Sequence, residues 1–202
     1  YTDDSGVYCD FIQPARLIEG DEENIKLTYK SDFTRTLPPL PSGDRVGFGV
    51  DVHAFCAGDH ITLGGVKIPF DRGFEAHSDG DVLIHAVMDA LLSAAGLKDI
   101  GHYFPVNDEK YDGADSSELL KTVVSLLNSE GYVPSNVSVT VQAEKPRLSP
   151  YIDIMKSVIA DICGIQTNAV AISAGTSEGL GFVGEGLGIT AYCAVALRLK
   201  NG

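Results

Sequence analysis

Basic residues are scarce in this sequence. Lysine and arginine together number 15, against 28 aspartates and glutamates, and the formal net charge is −13. Nucleic-acid binding needs Lys and Arg to neutralise phosphates, so no nucleic-acid partner is expected. An anionic membrane surface would repel such a chain. If the protein handles a phosphorylated substrate, local cations or metals must overcome the general field. No apolar run approaches the ~20 residues that a membrane helix requires, so no membrane partner is expected either. The four cysteines, Cys9, Cys56, Cys163 and Cys193, include no Cys-x-x-Cys pair, which argues against a zinc knuckle or a thioredoxin-like motif. Three of them sit among apolar or small residues and read as small buried hydrophobes, which fits a reducing compartment, while the even number leaves disulfides open. There is no internal repeat and no low-complexity tract. The sequence opens at Tyr1 with neither Met nor a basic-then-apolar signal segment, and reads as part of something longer.

What is present is a chain of 202 residues that is 44% hydrophobic, enough for one domain with a sizeable core and an appendage. Residues 1–45 hold nine acids and five bases and end in Leu37-Pro38-Pro39-Leu40-Pro41-Ser42-Gly43, a proline-stiffened linker. From Val46 the pattern turns α/β. Strands are expected over residues 46–52, 61–68 (a pair broken at Gly64-Gly65), 137–141, 169–173 and 189–199. Residues 81–97 are apolar on nearly every face and should form a buried helix stopped at Gly96. Asp115 and Glu118 suggest a capping box for a helix that Gly131 ends. Ser149-Pro150 suggests the N-cap and first turn of another helix reaching about Cys163. Interleaved strands and helices imply an α/β (α+β) fold, a sheet with helices packed on it.

Several residue groups carry chemistry. Asp51 and His53 stand at i and i+2 on a strand, so both point to one face and could grip a metal. His85 lies in the buried helix, on a polar stripe with Asp81 and Asp89. Two imidazoles and a carboxylate leave a fourth tetrahedral position open, as catalytic zinc requires. Spacing alone leaves open that His85 is an ordinary hydrogen-bonded core histidine. Ala76-His77-Ser78-Asp79-Gly80-Asp81 precedes the helix and could hold a phosphate on free N–H groups, or Ser78 or Asp79 could simply be its N-cap. Gly175-Thr176-Ser177-Glu178-Gly179-Leu180-Gly181-Phe182 lets backbone approach a ligand and offers oxygen ligands. Ala143-Glu144-Lys145-Pro146-Arg147-Leu148-Ser149 is a basic turn before a helix, suited to a phosphate or nucleotide or to plain solvated charge.

In their order, these segments resemble the 2-C-methyl-D-erythritol 2,4-cyclodiphosphate synthase family. The match runs through Asp51-Val52-His53-Ala54-Phe55, Leu63-Gly64-Gly65-Val66-Lys67-Ile68-Pro69, Ala76 to Asp81 with His85-Ala86, Asp99-Ile100-Gly101, Phe104-Pro105 and Thr176 to Phe182. It covers residues 46–202. The resemblance implies helices on one face of the sheet and a homotrimer with active sites between subunits. It implies a lyase of the non-mevalonate isoprenoid pathway, in bacterial cytoplasm or plastid stroma. Its nucleotide-diphosphate substrate, 4-diphosphocytidyl-2-C-methyl-D-erythritol 2-phosphate, would be cyclised with release of CMP. Asp51, His53 and His85 would ligate Zn2+, and Glu178 would help hold Mg2+ or Mn2+ at the diphosphate. His77 and Thr176 would be catalytic. Ser78, Asp99, Ile100, Gly101, Phe104, Asp108, Ser177 and Phe182 would contact substrate, and Ala143, Pro146, Arg147, Leu148 and Ser149 would form the cytidine pocket. The chain departs from the family's pattern at Val106, Gly175, and Glu185 with Leu187, where an acid, a threonine and an arginine-bearing glycine motif are usual. Separately, Tyr1-Thr2-Asp3-Asp4, Leu17-Ile18-Glu19-Gly20-Asp21, Asn24-Ile25-Lys26-Leu27-Thr28 and Ser31-Asp32-Phe33 resemble the C-terminal end of the methylerythritol phosphate cytidylyltransferase. That makes 1–36 a remnant of a fused domain, 37–45 the linker and 46–202 the synthase domain.

Overall fold

The structure, a computed structural model, describes residues 9–12, 14, 45–105 and 107–200. The expected cytidylyltransferase remnant and its linker therefore lie almost wholly outside the described residues, as does Val106. The chain divides into two units, Tyr1–Leu40 and Pro41–Gly202. In the first, one helical turn is described, at residues 9–11. Everything below concerns the second.

Its centre is a five-stranded sheet in the order β4-β1-β7-β5-β6, with a separate hairpin of β2 and β3. The strands are β1 (Arg45–Ala57), β2 (His60–Leu63), β3 (Val66–Pro69), β4 (Arg72–Phe74), β5 (Tyr132–Gln142), β6 (Val170–Gly175) and β7 (Gly188–Leu199). β5 and β6 run parallel, and every other pairing is antiparallel. The helices are α1 (Val82–Ala95), α2 (Ile100–Tyr103), α3 (Ser116–Ser129), α4 (Ile152–Cys163) and the single turn α5 (Gly181–Gly184).

Alternation decides which face of the sheet is covered. Along β5, Val137, Val139 and Val141 are buried while Ser138 and Thr140 are exposed. They join Ile189, Ala191, Cys193, Val195 and Leu197 of β7 and the inner faces of α1, α3 and α4 in one core. On β1 the inward positions are Gly47 and Gly49. A Cβ at Gly47 would fall on the Ala90 carbonyl oxygen, and one at Gly49 on that of Ala86. The two glycines thus let α1 press onto β1 backbone to backbone, against the small residues Ala86, Ala90 and Ala94.

Helix α1 stops where expected, at Gly96, but its cap is Asp81 and not Ser78 or Asp79. Asp81 caps it through the Ile84 N–H, and Gly96 ends it in the left-handed conformation. Two expected caps take other roles. Asp115 accepts the Ser117 N–H at the start of α3, but the Glu118 carboxylate pairs with Lys121 at 2.6 Å. Helix α4 begins at Ile152 with Tyr151 as N-cap and no side-chain cap bond; Ser149 lies two residues earlier, in a turn closed by the Tyr151 N–H on Leu148 O at 2.9 Å, and its hydroxyl accepts from Arg147 Nε at 2.9 Å. Of the cysteines, Cys163 and Cys193 are buried as expected, whereas Cys9 and Cys56 are exposed. No described helix is long and apolar enough to cross a membrane.

Candidate metal centre and substrate cavity

The glycine face of β1 changes character as the strand runs outward. Positions 47 and 49 lie under α1, and the same face continues as Asp51 and His53, where the helix no longer needs close approach. His85, in the first turn of α1, faces them. Asp51 Oδ2 lies 2.9 Å from His53 Nε2 and 3.0 Å from His85 Nδ1, and the two ring nitrogens are 3.2 Å apart. These three donor atoms form a near-equilateral triangle and are the one group among the described residues arranged to hold a metal ion. A tetrahedral zinc with bonds of about 2.0–2.1 Å spaces its ligand atoms about 3.3 Å apart, so the triangle fits such an ion with little movement.

The charges suit that role. Burial pushes the Asp51 pKa up, but hydrogen bonds and charge from His53 and His85 outweigh it and hold the carboxyl well below its usual range. Burial pushes the His85 pKa down, but Asp51, with Asp81 and Asp79 behind it, turns the net shift upward. Nδ1 of His53 is the one buried side-chain polar atom without a hydrogen-bond partner among the described residues, so Nε2, aimed into the triangle, is this ring's only engaged nitrogen.

The rest of the polar stripe on α1 is structural. Asp81 is fully buried and accepts the N–H groups of Gly64 (2.9 Å), Gly65 (2.6 Å) and Ile84 (3.0 Å), pinning the tight β2–β3 turn to the helix start. Asp89 accepts the Ile100 N–H at 2.9 Å and so sets the entry to α2.

Beside the triangle lies a cavity of about 490 Å³, with His53 and His85 in its wall. Of the expected site residues it also brings together His77, Ser78, Ile100, Gly101, Phe104 and Asp108. Met88, Leu119 and Tyr111 give it an apolar floor that sequence reasoning had not assigned; Met88 and Leu119 stand at helical spacing that reads equally as core. Asp99 is not part of this wall. It caps α2 by accepting the His102 N–H at 3.1 Å and borders a shallower hollow next to Phe48 and Val50.

The remaining expected residues gather separately and do not line this cavity within one chain. The Ala143 N–H donates to Gly175 O at 3.0 Å, joining the 143–149 turn to the glycine-rich loop. Glu144 Oε1 accepts the N–H (2.9 Å) and hydroxyl (3.2 Å) of Ser177 and the N–H of Gly179 (3.4 Å). Thr176 Oγ1 donates to Glu178 Oε1 at 2.7 Å. Glu178, at φ +55°, is the only non-glycine among the described residues in the left-handed region. Phe182 is exposed on α5, Arg147 and Ser149 are exposed with their side chains bonded to each other, and Ala143 and Leu148 turn into the core. Pro146 follows a cis peptide bond. Sequence reading had left Glu144 without a role, since a lone acid in a basic turn carries no signal of a loop more than thirty residues away.

Comparison with known proteins agrees with this geometry. The profile of the YgbB family matches residues 44–198. The bifunctional enzyme IspD/IspF of Campylobacter fetus subsp. fetus is 48% identical over 202 residues, spanning 100% of this chain and 54% of that protein. The 2-C-methyl-D-erythritol 2,4-cyclodiphosphate synthase of Thioalkalivibrio sulfidiphilus is 53% identical over 153 residues, spanning 76% of this chain and 95% of that one. A solved CDP complex of IspF from Plasmodium falciparum superposes with a TM-score of 0.69 at 32% identity, over 79% of this chain and 99% of that chain. The chain thus spans about half the length of the bifunctional relative it matches and nearly the whole of the single-function one. With its Asp-His-His triangle, adjoining cavity and glycine-rich loop carried on this sheet, the chain belongs to the YgbB family.

Proposed function

We propose that this chain is a 2-C-methyl-D-erythritol 2,4-cyclodiphosphate synthase, converting 4-diphosphocytidyl-2-C-methyl-D-erythritol 2-phosphate to the 2,4-cyclodiphosphate and CMP. The observation that carries the reading is the triangle of Asp51, His53 and His85 in the wall of a cavity large enough for the methylerythritol part of that substrate.

The donor set suits zinc: two imidazoles and one carboxylate, with a fourth position open. Bound there, zinc would supply Lewis acidity toward a substrate phosphate oxygen. An oxygen of the 2-phosphate attacks the β-phosphorus. The bond from that phosphorus to the oxygen bridging to CMP breaks, and CMP leaves with the electron pair. The nucleophile is already an anion, so no strong general base is required, and the work is positioning and charge neutralisation. The N–H groups of Asp79, Gly80 and Asp81 are already taken, by Ala114 O, Ser78 Oγ and Asp79 Oδ1, so the expected backbone phosphate cradle is not open there. The side chains of His77 and Ser78 orient the diphosphate instead, while Ile100, Gly101, Phe104 and Asp108 enclose the methylerythritol carbons and hydroxyls. Glu178 would help hold Mg2+ or Mn2+, which would neutralise charge on the diphosphate, Thr176 stands beside Glu178, and the 143–149 turn with Arg147 receives the cytidine.

This assignment needs two copies of the chain, because the nucleotide-side loops and the metal side are separate within one. A homotrimer with sites between subunits satisfies it. An oligomer is supported by the outer face of β1, where Val46, Phe48, Val50 and Val52 are 42–74% exposed in a row. The relation to bifunctional IspD/IspF proteins supports a cytidylyltransferase domain fused ahead of residue 37, with residues 37–45 as linker.

Phosphorus NMR of the purified chain with the diphosphocytidyl 2-phosphate substrate, zinc and magnesium tests the proposal. A cyclic diphosphate forming together with CMP is expected. CMP with only open-chain phosphates would instead mark a metal phosphohydrolase, and no turnover by a zinc-loaded trimer would mark a binding protein.

A further inference from the structure

We propose that Asp79 and Ser116 form a hydrogen-bond relay that fixes His85 in the one tautomer able to bind metal through Nδ1. They are positioning residues, and the inference rests on the metal-site reading above. Ser116 is fully buried, and its Oγ lies 2.5 Å from Asp79 Oδ1 and 3.0 Å from His85 Nε2. A carboxylate can only accept, so the single hydroxyl proton of Ser116 goes to Asp79. The hydroxyl oxygen then has lone pairs alone to offer His85, and Nε2 must carry the ring's proton. Without an ion Nδ1 donates to Asp51 Oδ2 at 3.0 Å; a cation in the triangle would displace that proton, and because Nε2 keeps its own, Nδ1 is the nitrogen left bare, 3.2 Å from His53 Nε2 on the side where the donors converge. The opposite tautomer would either set a bare Nε2 against the lone pairs of Ser116 Oγ, with only the longer 3.3 Å contact to Ser78 Oγ to satisfy it, or require Ser116 to abandon a charge-assisted bond to Asp79.

Two further contacts hold the relay. The Ser116 N–H also donates to Asp79, at Oδ2 and 3.3 Å, so the carboxylate meets this residue through both its oxygens. The Asp81 N–H donates to Asp79 Oδ1 at 3.2 Å, tying the carboxylate to the start of α1. Ser78 Oγ, 3.3 Å from His85 Nε2, accepts the Gly80 N–H and offers the ring a second oxygen. His53 has nothing comparable, since its Nδ1 has no partner among the described residues. Orientation of the pair of imidazoles therefore falls on His85 and its relay. Outer partners of this kind are typically worth 10–100-fold in metal affinity.

The test measures zinc affinity of the intact chain by competition with a chromophoric chelator, for the parent and Ser116→Ala. The alanine keeps the backbone N–H bond to Asp79 and leaves the Asp115 cap of α3 in place. The expected result is a tenfold or greater loss of zinc affinity, with a shifted visible spectrum when cobalt replaces zinc. A loss below tenfold, with the cobalt spectrum of the parent, overturns the relay while leaving the metal site standing. A parent that takes up no zinc overturns both. Should Ser116→Ala not fold, long-range nitrogen–proton NMR on the histidine-labelled, zinc-loaded parent decides the question. A proton on Nε2 of His85 with metal on Nδ1 is expected; the reverse overturns the proposal.

Discussion

Glu144 holds Glu178 from beneath without touching its side chain. Its carboxylate oxygen accepts the N–H groups of Ser177 and Gly179, the residues on either side of Glu178, which itself adopts φ +55°. A left-handed conformation costs a non-glycine residue roughly 1–2 kcal/mol and persists only where neighbours impose it. The clamp therefore presents Glu178 and Thr176 as a preset pair.

Glu144→Ala should release that pair. The expected outcome is a 10–100-fold fall in kcat/KM with a raised magnesium requirement, while zinc content stays at the parent's level because the metal triangle lies elsewhere. A variant with unchanged magnesium dependence and rate would show that the loop sets its own conformation.

The contact between Gly49 and Ala86 sets how closely α1 lies on β1. Gly49→Ala places a methyl group on the Ala86 carbonyl oxygen, and backbone cannot step aside as a side chain can. Overpacking of this kind costs about 1–3 kcal/mol, or a fall in Tm of roughly 2–4 °C per kcal/mol for a chain of this size. Because Asp51 follows two residues later on the same face, metal affinity should fall with stability. Thermal melts with and without zinc check both; an unchanged Tm would contradict the packing described.

Much of this was legible in the sequence, for identifiable reasons. Asp51 and His53 follow from strand alternation and the end of α1 from Gly96, because those signals are local, whereas its cap is Asp81 rather than the expected Ser78 or Asp79. Ser149 is not the cap because a turn closed by the Tyr151 N–H on Leu148 O delays the helix to Ile152. Ser116 stayed hidden because a serine at a helix start reads as ordinary capping, and its bond to His85 spans 31 residues. Glu144 was missed for the same reason. Pairings between segments distant in the chain leave no period to read.

Burial pushes the thiols of Cys163 and Cys193 up to about 12, from an ordinary value of 9.0. The folded state therefore keeps protons that the unfolded state releases as pH passes 9. Stability from these groups is complete below about pH 9 and is lost progressively as pH rises toward 12. Urea midpoints between pH 8 and 11 should fall, and fall less steeply in Cys193→Ala than in the parent. At pH 8 a thiol reagent should label exposed Cys9 and Cys56 but neither Cys163 nor Cys193 until urea is added; rapid labelling of Cys163 or Cys193 in the folded chain, located by peptide mapping, would contradict their burial.

Zinc content and turnover measured together in His85→Ala test the central claim most directly, with circular dichroism as the check on folding. The account predicts about one zinc per chain in the parent. In the folded variant it predicts joint loss of zinc and of cyclic diphosphate formation, by at least about 10³-fold in rate if the ion supplies several kcal/mol to the transition state. A folded His85→Ala that retains its zinc and turns over at the parent's rate would contradict it.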